Sequence, residues 1–169
     1  MGAGLLVALL ALGGQARAQE DEPPQSIQRY LESLRLGDYL KEVRLVYPPL
    51  REWPSFRSPG ATVTRIQIER PYAKNFPKQV ETLRLGFKWG QLVRIQVIYS
   101  ERRAKEKPLE KIVVELSMLY GEPKRRGMVY MWLDGRTVLR AFNEEISSAG
   151  GSAVEMRPSV EIYDDGLKD

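Results

Sequence analysis

Residues 83–99, LRLGFKWGQLVRIQVIY, decide the fold. Leu83, Leu85 and Phe87 alternate with Arg84 and Gly86. Lys88-Trp89-Gly90 then reads as a tight turn, after which Val93, Ile95, Val97 and Tyr99 oppose Arg94 and Gln96. Two runs of period two joined by a short turn describe an antiparallel hairpin with one apolar and one polar face. Upstream, Ile66 and Ile68 oppose Arg65, Gln67 and Glu69, which predicts a third strand over 62–69. Downstream, apolar runs at 128–133 and 136–142 flank Asp134-Gly135, a strong two-residue hairpin signal. In the last segment Val154, Met156, Val160 and Ile162 alternate with Glu155, Arg157 and Glu161. Pro158 places that strand at a sheet edge or on a bulge, because proline cannot donate to a ladder. Residues 143–152 read as a Gly/Ser loop.

Helical periodicity occurs in three places. Leu109, Ile112, Val113, Leu116, Leu119 and Tyr120 form one stripe after Pro108, closed by Gly121-Glu122-Pro123. Ile27, Tyr30, Leu31 and Leu34 predict a helix capped by Ser26 and ended at Gly37. Asp38 is placed to cap the next, in which Leu40, Val43 and Tyr47 are the buried stripe and Pro48-Pro49 the stop. Residues 48–60, with four prolines, Trp53 and Phe56, read as a loop, and 101–107 as a charge run.

The chain of 169 residues has no Cys and no His. That excludes a Ser-His-Asp triad, a Cys-His dyad, thiolate or imidazole zinc sites and a disulfide framework. Residues 5–12, LLVALLAL, followed by Gly13-Gly14 and Ala16-Arg17-Ala18, read as a secretory signal peptide cleaved after Ala18. The n-region, 1–4, carries no Lys or Arg. The apolar run is too short to span a bilayer, which needs roughly 20 residues. Cleavage removes Arg17 alone, leaving 25 basic against 22 acidic residues and a net charge of +3. The expected product is a periplasmic or secreted protein without a transmembrane segment. Residues 19–25 form a disordered lead-in, 26–164 a single domain and 165–169 a polar tail.

The order helix–strand–strand–strand then occurs twice, over about 26–99 and about 105–164. This predicts an α+β fold in which two divergent repeats form one antiparallel sheet of about six strands, with all helices on one face; the competing reading is one unrepeated domain. The segment Leu36-Gly37-Asp38-Tyr39-Leu40-Lys41-Glu42-Val43, ending at Tyr47-Pro48, is echoed by Leu119-Tyr120-Gly121-Glu122-Pro123. Together these segments resemble a pattern in the β-lactamase-inhibitor-protein-like group and the small outer-membrane-assembly lipoproteins related to it. The resemblance covers residues 34–142 loosely, through motifs of a few residues each. It implies a helix layer on an antiparallel sheet and function by protein binding. The chain lacks both the lipidated Cys of those lipoproteins and the Cys pairs of the secreted inhibitors, and no binding residue carries over.

Functional candidates follow from the aromatics and the charge. Tyr130, Trp132, Arg140 and Phe142 are expected to share an exposed sheet face, unless the 48–60 loop folds back to bury Trp132. Trp53 and Trp89 are further binding aromatics. The expected function is that of a non-enzymatic binding module for another exported or envelope protein, as an accessory factor or an inhibitor. One alternative is binding of an anionic glycan or lipid head group by Arg102, Arg103, Lys105, Lys124, Arg125 and Arg126. Another is a hydrolase using two of Glu69, Glu81, Glu101, Glu144 and Glu145. Gly150-Gly151 has no following helix, so no phosphate loop is read, and no cofactor motif is found. Asp164-Asp165 reads as tail, not as a calcium site. The small net charge argues against nucleic acid.

Overall fold

A computed structural model describes residues 24–147 and 154–167. The expected signal peptide and lead-in therefore lie outside the described residues, apart from Pro24 and Gln25. The chain runs β1 (Tyr30–Leu31), β2 (Leu34–Arg35), α1 (Leu40–Val46), β3 (Ser55–Phe56), β4 (Thr64–Glu69), β5 (Val80–Lys88), β6 (Gln91–Tyr99), α2 (Glu101–Glu106), α3 (Leu109–Tyr120), β7 (Lys124–Arg126), β8 (Val129–Asp134), β9 (Thr137–Ser147) and β10 (Val154–Asp164). It is a mixed α/β fold with few helices and one large antiparallel sheet. That sheet has eight strands in the order β3-β4-β5-β6-β10-β9-β8-β7, and β1-β2 form a separate pair.

The sheet is larger than the six strands expected, because β3 and β7 add to its edges. Both β3 residues and all three β7 residues are exposed, so neither strand carries an apolar alternation to reveal it. β10 is central, paired with β6 on one side and β9 on the other. Pro158 is accommodated because pairing with β6 begins only at Ser159, so the proline is flanked on one side alone. The expected loop at 143–152 begins later, since β9 continues to Ser147; residues 148–153 lie outside the described residues.

The helix expected over 27–34 does not form. Glu32 and Ser33 have φ of 48° and 64° and make the turn between β1 and β2. Long-range bonds dictate this conformation. The Ile27 N–H donates to Asp134 Oδ2 at 2.9 Å, and Arg29 reaches Thr137 and Asp164 at 3.0 and 2.9 Å. Asp38 does not cap α1: it accepts the Arg35 N–H at 2.7 Å, while Glu42 at the first turn of α1 accepts the Tyr39 N–H at 2.6 Å. The 101–107 charge run is largely α2, and Ser100 accepts the Arg103 N–H at its start.

The core lies on one sheet face. Val43 and Tyr47 from α1 and its end, and Leu109 and Ile112 from α3, join Ile66, Ile68, Leu83, Leu85, Ile95, Val97, Trp132, Leu139, Val160 and Ile162 in one cluster. Each fully buried aliphatic side chain there contributes about 1.5–3 kcal/mol. The i,i+4 ion pairs of α2 are exposed and contribute less than about 1 kcal/mol each. The core, not the surface charge, therefore holds the sheet together. The expected alternation in β6 is broken at one point. Gly86 pairs with Arg94 but Phe87 pairs with Leu92, so Val93 is the extra residue of a bulge. Leu92 consequently enters the core and Val93 does not.

Candidate binding face

Pairing register sets which side chains share the opposite face of the sheet. One row across the strands is Gln67, Arg84, Gln96, Glu161, Arg140, Met131 and Lys124. The next is Arg65, Gly86, Arg94, Tyr163, Val138 and Leu133. Cations thus recur on β4, β5, β6, β7 and β9 of one face. The residues of this face stand outside the core cluster.

Two carboxylates organise the centre. The Glu161 side chain is 3% exposed and accepts Arg140 Nε at 2.7 Å and Arg140 Nη2, with Arg94 Nε at 3.6 Å. A buried carboxylate is tolerable only when paired in this way. Arg94 and Arg140 also flank the Tyr163 ring at 5.3 and 5.2 Å from its centroid, and Arg140 lies 5.4 Å from that of Phe142. Glu144 accepts Arg84 Nη1 at 2.5 Å and Gln96 Nε2 at 3.0 Å. Gln96 also reaches Ser159, whose hydroxyl donates to the Val97 carbonyl at 3.0 Å. These contacts fix the arginines as a rigid, partly exposed array. Arg65, Lys124 and Arg126 have no carboxylate partner among the described residues.

The sequence-predicted site residues are divided. Tyr130 pairs with Ala141 and Trp132 with Leu139, whereas Arg140 pairs with Met131. The expected single face of Tyr130, Trp132, Arg140 and Phe142 is therefore corrected: the first two point to the core side and the last two to the other. Trp132 is buried and donates Nε1–H to the Gly121 carbonyl at 2.8 Å. Tyr130 packs against the core, with Arg125 5.5 Å from its centroid. Trp53 is buried too, its Nε1–H donating to the Tyr72 carbonyl at 3.0 Å. Trp89 is 78% exposed at the β5–β6 turn.

The two basic clusters have local roles. Arg102 and Arg103 pair with Glu106, and Lys105 with Glu101, all within α2. Lys124, Arg125 and Arg126 form β7, where the pleat sends Lys124 and Arg126 to one face and Arg125 to the other. Among the acids, Glu69 accepts from Gln67 at 2.7 Å and Glu101 from Lys105, Glu144 is held by Arg84, and Glu81 and Glu145 are exposed.

Sequence reasoning placed Arg65, Arg84, Arg94 and Glu161 on the polar face but not in a site. The available signal was an arginine at the outward position of three consecutive strands. Tyr163 was missed because it lies at the boundary with the expected tail.

No family model, curated protein or solved structure matches the chain. Among the described residues no helix is long and apolar enough to cross a membrane.

Proposed function

We propose that the protein is an exported, non-enzymatic binding module whose basic, aromatic sheet face docks an acidic surface of another exported or envelope protein. The observation that carries this reading is the array of cations on five strands of one face, interleaved with Tyr163 and Phe142, of which Arg84 is held by Glu144 and Arg94 and Arg140 by Glu161. Rigid arginines beside aromatic rings suit interface hot spots, because little side-chain entropy remains to be lost on binding. Export rests on the leader-like residues 1–18, and release on cleavage after Ala18. The strand order supports a reading as two divergent copies, one meander of β3–β6 after α1 and one of β7–β10 after α3. Such an arrangement accords with the resemblance to the β-lactamase-inhibitor-protein-like group. A second reading, an anionic glycan or lipid head group on the same face, is favoured by Lys124 and Arg126, which have no carboxylate partner among the described residues.

Affinity capture from the envelope fraction, with cross-linking at low and high salt, tests the choice. The wild-type chain should recover one acidic protein, more at low than at high salt, and Lys124→Glu/Arg126→Glu should lose it. Equal recovery by the double variant would sink the face. Recovery of polymer or lipid only, with no protein at either salt, would replace the first reading by the second.

A further inference from the structure

A cavity of about 340 Å³ opens on this face between β4, β5 and β6. It is of the size of the smaller ligand pockets, which begin near 300 Å³. Two local irregularities make it. The bulge turns Val93 out of the core and into the cavity wall, and bulges recur where a strand re-aims a side chain beside a site. Gly86 supplies the floor: a Cβ there would stand 3.1 Å from both Arg94 Cβ and Val63 Cγ1. Any larger residue would fill the space.

The lining is chemically two-sided. Val63, Val93 and the Tyr163 ring are apolar, and Arg65, Arg84 and Arg94 supply three guanidinium groups. No carboxylate belongs to the lining. Each guanidinium carries five N–H donors. Arg84 uses one on Glu144, the Arg94–Glu161 approach of 3.6 Å is longer than a hydrogen bond, and Arg65 is unpaired among the described residues. Donors are therefore left over in an open, partly apolar recess, with Arg65 exposed and the Arg84 and Arg94 side chains partly so. The complement is an anion that carries an apolar group.

We propose that this cavity binds a small carboxylate amphiphile, its carboxylate on Arg65, Arg84 and Arg94 and its chain along Val63, Val93 and Tyr163. The site goes beyond protein docking and does not depend on it. A planar carboxylate matches the arginine fork in two parallel bonds.

Calorimetric titration of the full chain with decanoate, decanol and acetate tests it. Decanoate should bind one-to-one, with decanol and acetate weaker by at least about tenfold, since each lacks one half of the recognition. Arg65→Ala removes a cation that has no carboxylate partner among the described residues, so it should weaken decanoate about tenfold without moving the thermal midpoint. Gly86→Ala should weaken it as well, through Arg94 and Val63. Absence of saturable decanoate binding overturns the proposal. So does decanoate binding unchanged in both variants, or decanol binding as tightly. None of these results touches the Lys124/Arg126 capture experiment, so the two readings fail separately.

Discussion

Trp89 occupies the left-handed region, with φ of 53°, at the first central position of the β5–β6 turn, followed by Gly90 at φ of 80°. Two positive φ values make a primed turn, whose twist matches the flanking strands. A bulky residue there is strained, and asparagine tolerates the same conformation. Trp89→Asn should therefore raise stability by about 1 kcal/mol, measured by urea unfolding. Trp132→Ala should do the reverse, losing about 3–5 kcal/mol as a large core side chain is deleted.

Two acids have opposite pH signatures. Burial pushes the Glu32 carboxyl up, with hydrogen bonds from Gln79 and the Arg103 charge only partly opposing it. A raised acid contributes stability below its unfolded value near 4.5, and this is lost as pH rises through the folded value. Burial also raises Asp164, but the guanidinium groups of Arg29 and Arg136 and the Gly166 N–H more than offset it, so its pKa is lowered. Its contribution is present above 3.8 and is lost as pH falls through the folded value. Glu32→Gln should thus stabilise at pH 7 more than at pH 4. Asp164→Asn should destabilise at pH 7, with the penalty shrinking in acid. Thermal midpoints across that range check both signs.

At the scale of elements, β7 and β3 finish the sheet in different ways. β3 is only two residues long, and β7 presents Lys124, Arg125 and Arg126, all exposed. Short or charged edges discourage strand addition by another chain. Replacing Lys124 and Arg126 with valine should drive self-association, visible by light scattering, whereas the glutamate pair used in the capture experiment should not. Charge also explains what patterning could reveal. β4, β5, β6 and α3 announce themselves because one side of each is apolar. β7 has no apolar residue, so its strand nature comes wholly from pairing with β8. The 27–34 segment shows a helical stripe, yet bonds from Ile27 and Arg29 to Asp134, Thr137 and Asp164, distant in sequence, override local propensity. The recess beneath Arg65 escapes a sequence reading for the same reason: a bulge is a property of two strands, and period-two counting assigns Val93 to the wrong side.

For the whole molecule, the decisive contact is β6 with β10, which pairs residues 94–98 with 159–163. Ile95, Val97, Val160 and Ile162 bring the core across it. A chain ending before β10 should lose this seam and the partner of β9 together. Truncation after residue 147 should accordingly abolish the cooperative thermal transition in circular dichroism, an outcome not expected of a dispensable edge strand. The absence of Cys means that no covalent link can compensate.

The same seam has a consequence in time. Synthesis proceeds at about 5–20 residues per second. From the moment β6 emerges, its open side, rich in valine and isoleucine, waits several seconds at that pace for a partner that begins only at Val154. Until then the first meander is a sheet with an unpaired apolar edge, which is the form most prone to pair wrongly. A nascent chain of this design stays loosely assembled until β10 arrives, and the middle of the sheet is closed after both of its flanks.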